Sequence, residues 1–248
     1  MFLSSAVDLG IKLCESMLKN SMWNCPNKPT NEAIKFLGKK NSKELGFSHA
    51  LLSAAGMAQI HDACKRGDIQ QCQCEIMRSG YRSQNFNYDS DRQNQLEICS
   101  MDAAVNYGYE FSKGFIDVEQ YERQDYDMVD ASELSKRRRD VNAKKRERRA
   151  AEEKLLKLYN AEVGRMIAKQ SSALDCKCFG VSGSCSQKKC TEKIARFGTI
   201  AADIYRAYKR SKRVKLYKGK LVDRRDRNKV FIDNETGYMN LLDVLVWV

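Results

Sequence analysis

Ten cysteines in 248 residues constrain this chain more than any other feature. They fall at 14, 25, 64, 72, 74 and 99, then at 176, 178, 185 and 190, two even-numbered clusters of the kind that disulfides close internally. The Cys-x-Cys pairs Cys72/Cys74 and Cys176/Cys178 do not suit free thiols filling a core, so an oxidising compartment fits better than the cytosol. Zinc is the competing account. Its usual Cys-x-x-Cys knuckles are missing, and the two histidines, His49 and His61, lie far in sequence from the second cluster. Sequence alone leaves the connectivity open.

Between the cysteines the apolar residues recur at helical spacing. Leu3, Val7, Ile11, Cys14 and Leu18 form one stripe, and Ala50 to Cys64 is an Ala-rich helix carrying Gly56. A third stripe runs Ala104, Gly108, Phe111, Phe115 and Val118, a fourth Leu155, Tyr159, Val163, Met166 and Ile167, and a fifth Ile194, Phe197, Ala201, Ile204 and Tyr208. All five read as core faces. The expected fold is mainly α, a helical bundle with one or more disulfide-stapled β-hairpins. Residues 76–96 read as a polar loop, and 119–154 as a charged insert, either a solvated helical extension or a disordered segment.

Charge is local. Residues 136–149 hold nine Lys/Arg against two acids and residues 206–229 hold twelve against two, so the net +12 belongs to two patches and the remainder of the chain is net acidic. The first patch lacks interleaved aromatics and any nucleic-acid-binding signature, which argues against nucleic acid as a partner. Outside the cell the same charges would meet sulfated glycosaminoglycans such as heparan sulfate. No apolar run approaches the ~18 residues of a membrane span, and Met1 to Gly10 shows neither a basic n-region nor a long h-region.

The most specific stretch is Cys176-Lys-Cys-Phe-Gly-Val-Ser-Gly-Ser-Cys185-Ser-Gln-Lys-Lys-Cys190. Cys176 and Cys178 face one side of a strand. A nested pairing, Cys178 with Cys185 and Cys176 with Cys190, closes a hairpin tipped by Phe179 to Ser184 and requires extra residues bulged out near Ser186 to Lys189. Gly180 and Gly183 supply permissive backbone, and Ser182 sits at the apex with its hydroxyl open to a modifying enzyme. As a nucleophile Ser182 fails: Ser184 occupies the second glycine position of a G-x-S-x-G elbow, and both histidines lie in the first part of the chain. The chain therefore does not read as an enzyme.

This stretch resembles the lipidated hairpin of the Wnt family of secreted morphogens. Other segments match in order: Trp23-Asn24-Cys25, the Ala-rich Phe47 to Ala58, Cys64 with Cys72-Gln-Cys74, Asn106-Tyr-Gly-Tyr-Glu-Phe-Ser to Asp117, and Glu162-Val-Gly-Arg165 beside the family's E-A-G-R. The resemblance implies disulfides Cys14 to Cys25, Cys64 to Cys72, Cys74 to Cys99, Cys176 to Cys190 and Cys178 to Cys185. It further implies a palmitoleoyl ester on Ser182, added by an endoplasmic-reticulum acyltransferase, with no other cofactor. The receptor-binding hairpin is then Phe179, Gly180, Val181, Ser182, Gly183 and Ser184, presented to a Frizzled cysteine-rich domain. At ~0.8 kcal/mol per buried CH₂ such a chain offers on the order of 10 kcal/mol gross, so the ligand needs a lipid carrier in water.

The implied function is a secreted, extracellular-matrix Wnt signalling ligand in development. The alternatives are a non-signalling fragment or receptor decoy and, more remotely, a basic helical nucleic-acid-binding protein. Phe179 stands where the family usually has His, and Thr191 where it has Trp. Residues 1–240 are expected to form the family's N-terminal helical domain, with the hairpin at 174–192. Residues 241–248 resemble the start of a linker to a second cysteine-rich domain that is expected to be absent, and with it much of the surface for a low-density-lipoprotein-receptor-related co-receptor. Asn234-Glu-Thr236 is an N-glycosylation sequon, in keeping with export.

Overall fold

A computed structural model describes residues 2–21, 25, 42–72, 102–126, 136–179, 187–233, 239–240 and 244–248. Its hub is helix α2, Lys43–Arg66, which packs against every other long helix. The Ser42 hydroxyl accepts the Leu45 N–H at its start and Gly67 closes its end at φ 80°. Ala50, Ser53, Ala54, Ala55, Gly56 and Ala58 are all buried, and side chains this small let neighbours close in from several sides.

Helix α1, Phe2–Leu18, lays Ala6, Gly10, Cys14 and Leu18 on α2, with Val7 and Ile11 at the edge of that row. A disulfide joins Cys14 to Cys25, and a second joins Cys64 near the end of α2 to Cys72 in the 3-10 turn Gln70–Cys72.

Helix α3, Asp102–Tyr126, corrects one expectation. Val105, Gly108, Ser112 and Asp117 are buried, whereas Phe111 is 37% and Phe115 59% exposed. Backbone approach sets this rotation. A Cβ on Gly108 would stand 2.8 Å from the Met57 carbonyl oxygen, and one turn on the Ser112 hydroxyl donates to the Ser53 carbonyl at 3.0 Å. The aromatic rings Tyr107, Phe111 and Phe115 instead stack along the outer side, centroids 6.1 and 6.3 Å apart.

Helix α4, Lys136–Gln170, has two unlike halves. From Ala143 to Ala151 every residue is exposed, while Leu155, Leu156, Leu158, Tyr159, Val163 and Ile167 join the core. The described part of the charged insert is thus helical, the last turns of α3 and the first half of α4, and residues 127–135 lie outside the described residues. So does the polar loop 76–96. Helix α5, Phe197–Lys209, buries Ile200, Ala201, Ile204 and Ala207, with Ile194 packed just before it.

Helical periodicity did not announce a second sheet. Strands β3 Lys212–Tyr217, β4 Lys220–Asp223, β5 Val230–Asp233 and β6 Val246–Trp247 form a sheet in the order β5-β4-β3-β6, after the hairpin strands β1 Ala173–Phe179 and β2 Gln187–Lys193. Its period of two is hidden in a basic run, where Val214 and Leu216 alternate with Arg213, Lys215 and Tyr217. At the far end of the described chain Leu245 and Val246 are buried, and β6 pairs in parallel with β3. Asn160 of α4 clamps Val246 at two points, its amide donating to the carbonyl and its oxygen accepting the N–H, both at 2.9 Å.

Beside that clamp the His49 ring lines a small, partly open pocket with Ser42, Glu153, Lys157, Asn160 and Trp247, its Nε2 buried and unpaired. Burial, aided by the Lys157 charge, pushes its pKa down from 6.5 to about 3. The folded state thus favours neutral His49, so this stability is complete above pH 6.5 and is lost as pH falls toward 3. Between pH 6.5 and 5 the loss amounts to about 2 kcal/mol. Urea midpoints at pH 7 and pH 5 are expected to fall further apart for the wild type than for His49→Gln, whose side chain does not titrate.

Candidate functional site

The informative hairpin rises between α4 and α5 as β1 Ala173–Phe179 and β2 Gln187–Lys193. Its base is tied to both helices. Ser171 donates to the Ala168 carbonyl at 2.6 Å and accepts the Ala195 N–H at 3.3 Å, while Lys193 pairs with Asp175 across the strands. That hydrogen bond and charge hold the Asp175 carboxyl below its usual range.

The ladder is regular from Ala173 opposite Lys193 to Phe179 opposite Gln187, and it sets Cys176 directly across from Cys190. Cys176 and Cys178 are both disulfide-bonded. No bulge occurs at residues 187–189, contrary to the sequence expectation: Cys178 faces Lys188, and the three-residue offset to Cys185 falls in the connection 180–186. Extra residues in a connection leave every rung's hydrogen bonds made, whereas a bulge would unpair one. Phe179 forms the last rung through its backbone. Gly180, Val181, Ser182, Gly183, Ser184 and Cys185 lie outside the described residues, as do Cys74, Cys99 and Asn234.

Between α2, α3 and α4 is a polar cluster that composition and periodicity did not reveal. Arg165, 1% exposed, donates through Nη2 to Asp117 at 2.8 Å and to Glu162 at 2.7 Å, and through Nη1 to Ser53 at 3.3 Å. The Tyr109 hydroxyl donates to the other Glu162 oxygen. Burial raises the Asp117 pKa against the pull of Arg165, and burial with the Glu162 contact raises that of Tyr109. The signal was an ionic pair at i and i+3 between the apolar positions Tyr159, Val163 and Ile167. One arginine held between two buried carboxylates makes this a structural lock. Among the described residues no group of His, Cys, Asp and Glu is arranged to hold a metal ion.

A third feature is electrostatic. Arg148 of α4 donates to the Leu216 carbonyl of β3 at 3.3 Å, and the Leu216 N–H donates to Glu152 at 3.2 Å. The two basic runs, far apart in sequence, therefore meet on one surface. Arg213 stacks over Trp247 at 5.0 Å and Arg227 over Tyr217 at 5.2 Å, which holds guanidinium groups in place on it.

A family model described as Wnt family matches residues 1–241. This chain belongs to the Wnt family. Among curated Wnt proteins, Protein Wnt-2 of Drosophila melanogaster is 25% identical over 212 residues, covering 86% of this chain and 51% of the relative. Protein Wnt-5 of Halocynthia roretzi is 27% identical over 246 residues, covering 96% of this chain and 60% of that one. The chain thus spans between about half and three fifths of the length of these relatives. Two solved structures share the fold over the whole chain. One, of human WLS in complex with WNT8A, gives a TM-score of 0.57 at 21% identity over 66% of that chain. The other, the Drosophila WntD N-terminal domain-linker, gives 0.51 at 15% identity over 93% of that chain. The mainly helical architecture with stapled hairpin is that of a Wnt N-terminal domain. Among the described residues no helix is long and apolar enough to cross a membrane.

Proposed function

We propose that this chain is a secreted Wnt-type signalling ligand, not an enzyme, that engages a Frizzled cysteine-rich domain through a palmitoleoyl ester on Ser182. The observation that carries the reading is the hairpin itself: a regular two-stranded ladder, two bonded cysteines on one side of β1, and a seven-residue connection, 180–186, that contains the serine. Cys176 to Cys190, Cys178 to Cys185 and Cys74 to Cys99 complete the disulfides in this reading, and Asn234 carries an N-glycan. The acyl chain is too apolar to travel free in water, so an acyltransferase in the endoplasmic reticulum and a lipid carrier belong to the same scheme. A lipoprotein-receptor-related co-receptor is the further partner for signalling.

The merged basic surface of α4 and β3 supports contact with heparan sulfate, whose repeated anions match clustered Lys/Arg. One experiment separates the two contacts. The chain, expressed behind a supplied signal sequence, is assayed against an immobilised Frizzled cysteine-rich domain and against immobilised heparin. Ser182→Ala is expected to lose at least about 100-fold in receptor affinity, a small part of the acyl chain's gross contribution, with heparin elution unchanged. Unchanged receptor binding would remove Ser182 from the mechanism.

A further inference from the structure

The exposed half of α4 carries Arg146-Glu147-Arg148-Arg149-Ala150, and nothing in the hairpin's role uses it. We propose that this segment is a processing site, cut at the Arg149–Ala150 bond by a secretory endoprotease whose acidic pockets read paired basic side chains. The proposal rests on the reading that the chain is exported. Arg149, Arg148 and Arg146 occupy the first, second and fourth positions before the bond, and a small alanine follows it. Guanidinium groups in carboxylate-lined pockets make the charge-assisted pairs that such an enzyme requires.

A protease must also draw its substrate into extended form, and here the helix is weakly held. All side chains from Ala143 to Ala151 are exposed, and the first buried residue is Leu155. The nine residues from Ala143 to Ala151 therefore stay helical with no buried side chain, a length at which isolated helices in water are marginal. Lys144/Arg148 and Lys145/Arg149 set like charges four apart, and the first turn has no acid to balance its four cations against the helix dipole. The described anchors near the bond are two contacts to a single β3 residue, Arg148 to the Leu216 carbonyl and the Leu216 N–H to Glu152. Local opening of such a stretch costs little compared with global unfolding.

In the cut, water adds across the amide: its oxygen goes to the Arg149 carbonyl carbon, leaving a carboxylate, and the Ala150 nitrogen departs as an amine. Every α4 residue in the core, and Arg165, lies on the new C-terminal piece and remains packed on α2. The nicked protein thus stays one particle.

The test uses the full chain, secreted from a host lacking such proteases and incubated with a purified paired-basic-specific convertase. Fragments 1–149 and 150–248 are expected under reducing, denaturing conditions, with Ala150 as the new N-terminus and an unchanged native gel-filtration volume. Arg146→Ser with Arg149→Ser is expected to slow the cut at least about 100-fold, the loss of two charge-assisted contacts, at unchanged thermal midpoint. An intact chain under conditions that fully cut a free peptide of residues 143–153 overturns the proposal, as does first cleavage at any other bond. Digestion reads the site whether or not Ser182 is acylated, so this result and the Frizzled result fail independently.

Discussion

Replacing Arg165 with Met is expected to destabilise the protein by about 3–5 kcal/mol, about a fifth or more of the 5–15 kcal/mol stability of an ordinary domain. Met nearly conserves volume, so the loss is electrostatic: Asp117 and Glu162, at 5% and 6% exposure, are left facing each other without their cation. Chemical denaturation of the wild type and variant at pH 7 measures it. The pH dependence identifies the cause. Without Arg165 the Asp117 pKa, already raised by burial, rises further, and a carboxyl raised in the folded state loses stability as pH increases through its unfolded value. The deficit must therefore shrink as pH falls through the carboxylate range, whereas a packing defect would not respond. A deficit below about 1 kcal/mol at pH 7 would mean that the cluster contributes no more than a surface pair.

Gly164→Ala is the second large effect, and its sign opposes helix propensity. On an open helix face this change stabilises by up to about 1 kcal/mol. At residue 164 the added Cβ would lie 2.0 Å from the Ala50 carbonyl oxygen and 2.6 Å from its carbon, backbone against backbone, with no flexible side chain to yield. Helices α2 and α4 must separate, so a loss of at least about 3 kcal/mol is expected, the upper end of overpacking costs. Gly114→Ala is the internal control, because nothing stands within 4 Å of its Cβ position on α3. Thermal midpoints of the two variants should move in opposite directions. A Gly164→Ala midpoint at or above the wild type would show that the contact is not close in solution.

Both effects fall within Glu162-Val-Gly-Arg165, a tetrapeptide the sequence marks through its likeness to a family motif and through an i,i+3 ionic pair among apolar positions. Its reason is geometric: glycine brings two helix backbones together, and the arginine one residue later is then enclosed and must find carboxylates. Helices α1 and α5 were legible because their buried residues recur at three to four positions along a single stripe, and α2 and α4 because larger apolar residues keep that spacing within more fully buried helices. Helix α3 was legible as a helix, yet its buried face was misread. Phe111 and Phe115 outweigh Gly108 and Ser112 in any apolar count, while the fold selects the side on which backbones approach.

The hairpin shows the same division. Cys176 and Cys178, two apart, placed a strand with one cysteine face. The register came from rung-by-rung hydrogen bonding, which keeps the ladder intact and moves the surplus residues into the connection.

What the sequence determined by itself was local or covalent: helical periods, two even-numbered cysteine clusters, the cysteine strand and two basic runs. These depend on neighbours within a few positions, or on residue types whose chemistry is independent of context. What only the tertiary structure decided was long-range. It brought Arg148 to Leu216, Arg165 to Asp117 and Asn160 to Val246, and it turned the end of the basic run into a sheet. Each such contact is chosen by the close packing of distant backbones, and no count of residues along the chain contains that choice.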